Sequence, residues 1–225
     1  MLELKSCSFV YPLKKIFENL NLSFQPDTIN GVLGRNGIGK TTLFKILTNT
    51  LKLSEGLIEL NGVPLNPKQV SILKTEPFFY PFMKGEEYLK LVLGSLSDKV
   101  LKLVEVFNLP LDELIDNYST GMRKKIAFIA VLCQNRPVLI LDEPFNGVDL
   151  EGNELIKAIL KREKKGRIII CSSHILESLT DCSDSIHFIQ EGYEYKTYEA
   201  ANFDSLHLAM RSIIDSKVAL LGAKS

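Results

Sequence analysis

Apolar positions in the first part of the chain partly alternate with polar ones: Leu2, Leu4 and Phe9 within residues 1–11, then Ile16, Phe17, Leu20, Leu22 and Phe24 within 16–24. With a turn around Pro12 between them, these stretches predict two paired strands. Residues 29–33 form a short apolar run that enters a glycine-rich segment, and Leu43, Phe44, Ile46 and Leu47 follow at helical spacing. That order predicts the strand, loop and helix unit of an α/β protein. Alternation returns at 56–61, and Asn61-Gly62 is a turn signal.

From about residue 86 to 136 the period becomes helical: Tyr88, Leu89, Val92 and Leu93, then Val100, Leu103, Val104 and Phe107, then 126–132 after a polar loop. A mostly helical lobe, about 76–136, is therefore expected as an insertion in the α/β core. Short buried-strand runs at 138–141 and 167–171, separated by a helical stretch at 152–165, predict a βαβ connection in a parallel sheet. Residues 186–198 read as a closing hairpin. Residues 202–221 read as an amphipathic terminal helix, with Leu206, Met210, Ile213, Ile214 and Val218 roughly on one side. The core unit is expected over 1–200 and the helix over 201–225.

Composition narrows the class. A chain of 225 residues with 45% apolar and 24% charged residues fits one large folded domain with an inserted lobe. The 27 basic residues balance 27 acidic ones, so there is no net basic field for a phosphate backbone, and nucleic acid is not an expected partner. Cys7, Cys133, Cys171 and Cys182 lack C-x-x-C spacing, and the start of the chain lacks a basic, then apolar, leader. A reducing, cytoplasmic setting is expected. The longest unbroken apolar run, 126–133, falls far short of the roughly 20 residues that span a bilayer.

The strongest chemical signal is Gly34, Arg35, Asn36, Gly37, Ile38, Gly39, Lys40 and Thr41, a full match to the phosphate-loop pattern G-x-x-x-x-G-K-[ST]. A chance match in a chain of this length has a probability on the order of 1%. Placed between a strand and a helix, the loop's N–H groups and the positive end of the helix converge on an anion. Lys40 is expected to reach the β and γ phosphates of a nucleotide, and the Thr41 hydroxyl to ligate Mg²⁺. Thr42 completes the expected nucleotide-binding set.

About a hundred residues on, the apolar run 138–141 ends in Asp142 and Glu143. Strand ends are where an open α/β sheet places its chemistry. Asp142 is placed to hold Mg²⁺ through water, and Glu143 to polarise the attacking water as general base. No N-K-x-D base-reading motif of a GTPase occurs.

With these residues in place, the sequence resembles the ATP-binding cassette (ABC) ATPase family over roughly residues 2–200. Tyr118-Ser119-Thr120-Gly121-Met122 is similar to the family signature L-S-G-G-Q, Asn146-Gly147-Val148-Asp149 to its D-loop, and Ser172-Ser173-His174 to its switch histidine. The resemblance implies an ABC ATPase architecture: a phosphate-loop core with a mostly parallel sheet, an N-terminal antiparallel β subdomain and an inserted helical subdomain. It also implies that Tyr11 stacks on adenine, that His174 acts at the γ phosphate, and that Ser119, Gly121 and Asp149 complete the site of a second cassette. ATP and Mg²⁺ are the implied ligands. A cassette dimer, in the simplest case a homodimer, and a separate transmembrane permease are the implied partners, with the chain peripheral on the inner face of the membrane.

Two departures stand out: Thr120 for the signature's first glycine and Met122 for its glutamine. The family's Q-loop glutamine gives way to Thr75 or Glu76. The aromatic run from Phe78 to Phe82 lines a groove for a permease helix on the family reading, or packs the core of the lobe on the plain one. His187 and His207 read as structural or surface residues. An ABC-type ATPase acting on ribosomes or DNA is the alternative function, and a poorly hydrolysing regulatory module is a third.

Overall fold

The computed structural model describes residues 1–12, 14–190 and 195–222. Strands β1 (Leu2–Tyr11), β2 (Lys14–Phe24), β3 (Thr28–Leu33), helix α1 (Lys40–Leu47), β4 (Glu55–Leu60), β5 (Val63–Pro64) and β6 (Val70–Leu73) make the first part of the chain. Helices α2 (Gly85–Leu93), α3 (Asp98–Val106) and α4 (Thr120–Cys133) follow, then β7 (Val138–Asp142), α5 (Leu150–Glu163), β8 (Ile168–Ser173), α6 (Leu176–Thr180), β9 (Ser185–Ile189), β10 (Tyr195–Glu199) and α7 (Phe203–Gly222).

Two sheets result. An antiparallel sheet runs in the order β2-β1-β4-β5, and a six-stranded sheet runs β10-β9-β3-β8-β7-β6. In the second sheet every pairing is parallel except that of β10 with β9. Asn61 and Gly62 connect β4 to β5 with φ of 54° and 78°, the two left-handed residues of a tight hairpin turn.

β7 and β8 are buried along their whole length, as parallel strands covered on both faces must be. Their side chains alternate between two cores. Ile29, Leu33, Leu139, Leu141 and Ile169 face the cluster shared with α4, α5 and α6. Val32, Val138, Ile140, Ile168 and Ile170 face α1 and the antiparallel sheet.

Several expectations shift. The helix expected at 152–165 starts at Leu150, where Asp149 precedes it in extended conformation. The expected closing hairpin, 186–198, corresponds to the antiparallel pair β9 and β10, which extends the main sheet through β3; residues 191–194 lie outside the described residues. β6 and α6 are too short to leave a periodic signal. In α7, Leu206 is buried and Met210 and Ile213 pack on the core, but Ile214 and Val218 are 56% and 57% exposed. Each helical residue advances by about 100°. Measured from Leu206, Met210 and Ile213 lie within about 40°, whereas Ile214 and Val218 lie about 80° and 120° round, at the edge that faces solvent.

Candidate functional site

The C-terminal ends of β3, β7 and β8 lie at one edge of the main sheet, where open α/β sheets expose ligand chemistry. After Leu33 the chain turns through residues 34–39 into α1. Gly37 and Gly39 have φ of 79° and 120°, and a Cβ on Gly39 would lie 2.8 Å from Ile16 Cγ2. Only bare backbone fits there. The N-terminus of α1 has no side-chain cap, which leaves its first N–H groups available to an anion.

Lys40 is 6% exposed. Its Nζ donates to Gly34 O at 2.6 Å and to Arg35 O at 3.4 Å, with Glu143 Oε1 3.6 Å away. Burial lowers its pKa from the ordinary lysine value, against the opposing pull of Glu143 and Asp142.

The sheet register sets Asp142 beside Ser172. The Ser172 hydroxyl donates to Asp142 Oδ1 at 2.7 Å and accepts from the Glu143 N–H at 3.1 Å. Thr41 Oγ1 donates to Asp142 Oδ2 at 3.1 Å, so both oxygens of this buried carboxylate are met by hydroxyls. Glu143 has φ of 52°, a left-handed backbone that is uncommon for residues with side chains and clusters at functional sites. Its carboxylate sits between Lys40 and His174, whose Nδ1 lies 3.0 Å from Oε2. Ser172→Ala is expected to lower stability by about 1–3 kcal/mol, because it leaves an acceptor and a buried N–H unmatched. An unchanged midpoint in urea unfolding would show that Ser172 holds neither group.

These groups line a cleft of about 410 Å³, within the size range of small-ligand sites. Of the residues predicted from sequence, Tyr11, Arg35, Asn36, Gly37, Gly39, Lys40, Thr41, Thr42, Asp142, Glu143 and His174 line it. Gly34 and Ile38 do not: the Gly34 carbonyl holds Lys40, and the Ile38 N–H is spent on Arg35 O at 3.3 Å. Tyr11 packs edge-on against Phe9, ring centroids 4.9 Å apart. Ile16, Thr75 and Asn146 also line the cleft. Thr75, and not Glu76, is the cleft-facing residue of its loop. Among the described residues, no cluster of three or more His, Cys, Asp or Glu could hold a metal. The Thr41 hydroxyl and Asp142 carboxylate are instead a sparse set of hard oxygen donors, which suits Mg²⁺, a cation that keeps several waters and takes other ligands from phosphates.

A family model described as "ABC transporter" matches residues 17–146. The chain belongs to the ABC transporter family. It is 30% identical over 206 residues to the Bacillus subtilis (strain 168) "Uncharacterized ABC transporter ATP-binding protein YhcH", covering 85% of this chain and 68% of that protein. It is also 30% identical over 239 residues to the "Bacitracin transport ATP-binding protein BcrA" of Enterococcus faecalis, covering 97% of this chain and 76% of that one. A solved "ATP binding subunit of ABC transporter" superposes with a TM-score of 0.83 at 24% identity, covering 92% of this chain and 93% of that chain. This chain is accordingly an ATP-binding subunit of the ABC family, with the cassette fold.

Ser119, Gly121 and Asp149 do not line the cleft, although Asn146 at the start of the D-loop does. Ser119 caps α4, its hydroxyl accepting from the Met122 N–H at 3.2 Å. A Cβ on Gly121 would lie 3.1 Å from Gly147 O, so the signature turn packs against the D-loop of the same copy. Asp149 Oδ1 is 2.8 Å from Lys125 Nζ, and this hydrogen bond lowers the Asp149 pKa. Of the aromatic run, Phe79 packs on Tyr88, whereas Phe78, Tyr80 and Phe82 are 70%, 57% and 81% exposed. Packing of the lobe accounts for Phe79 alone. His187 is a core residue: buried, bonded through Nδ1 to Thr197 Oγ1 at 2.9 Å, and lowered by burial to a pKa of about 4.

Proposed function

We propose that this chain binds Mg-ATP in the cleft and hydrolyses it as one half of a two-copy assembly, driving a separate membrane-spanning subunit. The observation that carries the reading is a division within one chain. The phosphate loop, Lys40, Asp142 and Glu143 converge on one cleft, while Ser119 and Gly121 lie outside it. A head-to-tail pair brings Ser119 and Gly121 of each copy to the nucleotide of the other, with Asp149 at the interface. The loop amides and Lys40 hold the phosphates, and Tyr11 stacks on adenine. Glu143 accepts the proton of the attacking water, and His174 orients Glu143 and meets the γ phosphate. Thr41 and Asp142 hold Mg²⁺, which when bound offsets phosphate charge.

Among the described residues no helix is long and apolar enough to cross a membrane. In this reading the exposed Phe78, Tyr80 and Phe82 form the surface for the transmembrane partner, and the chain is peripheral on the inner face of the membrane. The bacitracin-transport name of one relative supports the transport role.

Mixing two inactive variants tests the shared site. In a pair of one Lys40→Ala and one Ser119→Arg chain, both lesions fall in one site and the other is whole. Random pairing is expected to restore about a quarter of native turnover, since half of the pairs are mixed and each keeps one of two sites. Mixtures as inactive as their components would exclude sharing between copies.

A further inference from the structure

Lys124 lies in the second turn of α4 and is 3% exposed. A buried ammonium is costly unless its protons and charge are met. Its Nζ donates to Thr75 O at 2.5 Å and to Lys74 O at 3.5 Å, two main-chain carbonyls of the segment that leaves β6. Among the described residues no carboxylate forms an ion pair with it; Asp142, Glu143 and Glu76 act on its charge from farther off, against a larger burial cost that lowers its pKa. Two acceptors that converge on one point are met by a donor with several protons, and a lysine ammonium is such a group. Thr75 lines the cleft. Thr75 has a short side chain, so where it meets the cleft follows the course of the main chain that Lys124 holds.

We propose that Lys124 is a positioning residue for the ATPase reaction: from the signature helix it clamps the carbonyls of residues 74 and 75 and so fixes Thr75 at the cleft of the same copy. The inference rests on the reading of the cleft as the ATPase site. The clamp lies on α4 and the loop after β6, apart from the phosphate loop, so its loss is expected to affect turnover more than affinity.

Two measurements on the full-length chain test it. In hydrogen–deuterium exchange of the nucleotide-free protein, Lys124→Met, which has no donor, is expected to speed exchange across 74–83 by about tenfold, whereas Lys124→Gln, with two N–H groups, stays within about threefold of native. In ATPase assays, Lys124→Met is expected to lower kcat by about tenfold with KM for ATP within about threefold, and Lys124→Gln to recover most of the loss. Lys124→Ser, with room for water to reach both carbonyls, replaces the methionine variant if that one does not fold, with the same losses expected. Unchanged exchange at 74–83 in the donorless variant overturns the clamp. So does a glutamine variant as impaired as the methionine one, or a KM that rises in step with the fall in kcat. A native chain that itself fails to turn over ATP, while the exchange result holds, removes the ATPase reading and leaves the clamp standing.

Discussion

Glu143→Gln is expected to lower ATP turnover by about 10² to 10⁴, the usual contribution of a general base, with Mg-ATP affinity preserved. The substitution is close to isosteric, and the surroundings keep the side chain in place. The bond that fixes the Glu143 backbone runs from its N–H to Ser172 Oγ and survives the change, as does the left-handed φ of 52°. A glutamine amide still meets His174 Nδ1 where Glu143 Oε2 stood at 3.0 Å. What disappears is a carboxylate able to take a proton, together with the negative charge 3.6 Å from Lys40. Release of that cation favours phosphate binding, so affinity is expected to hold or rise. Phosphate-release kinetics and titration with a fluorescent ATP analogue separate the two quantities. Native turnover in this variant would remove Glu143 from the chemistry.

The parts of this site that sequence makes legible are those where the chemistry constrains consecutive residues. In this phosphate loop Gly37 and Gly39 have positive φ, and the lysine and threonine follow the second patterned glycine, Gly39, at fixed offsets. Asp142 and Glu143 end an apolar run, and burial on both faces of β7 makes that run continuous. Residues that reach the cleft by tertiary packing leave no such trace. Ile16 reads as ordinary strand core, and Thr75 follows β6, whose four residues are too few to show a period. Lys124 belongs to a charged triplet, Arg123-Lys124-Lys125, and nothing in that run marks the middle residue as the one that meets two carbonyls of the loop after β6. Ser119 and Gly121 are legible through family resemblance, but their place outside the cleft is a property of three-dimensional arrangement. In α7 the pattern identifies a helix and overstates its buried face, because Ile214 and Val218, at the edge of the apolar stripe, are left exposed.

Lys40→Ala is expected to weaken Mg-ATP binding by roughly 10- to 100-fold, since a hydrogen bond to a charged group contributes about 1.5–3 kcal/mol. The contacts of Lys40 explain why the ammonium is available for this task. Lys40 is tied to two carbonyls and stands 3.6 Å from Glu143, and burial leaves it short of compensation, so its pKa falls. A triphosphate brings more negative charge to the loop than Glu143 supplies, and it turns an under-compensated cation into a paired one. Binding therefore gains from the lysine what the protein's own carboxylates do not supply. Alanine removes that gain and leaves Gly34 O without its donor, while the uncapped N-terminus of α1 remains to attract the anion. Affinity should fall without vanishing, and the effect should be confined to phosphate-bearing ligands: isothermal titration with ATP and with adenosine distinguishes the two. If ATP affinity were unchanged, or fell in parallel with adenosine affinity, Lys40 would not be meeting phosphate, and the loop from 34 to 41 would lose its assignment.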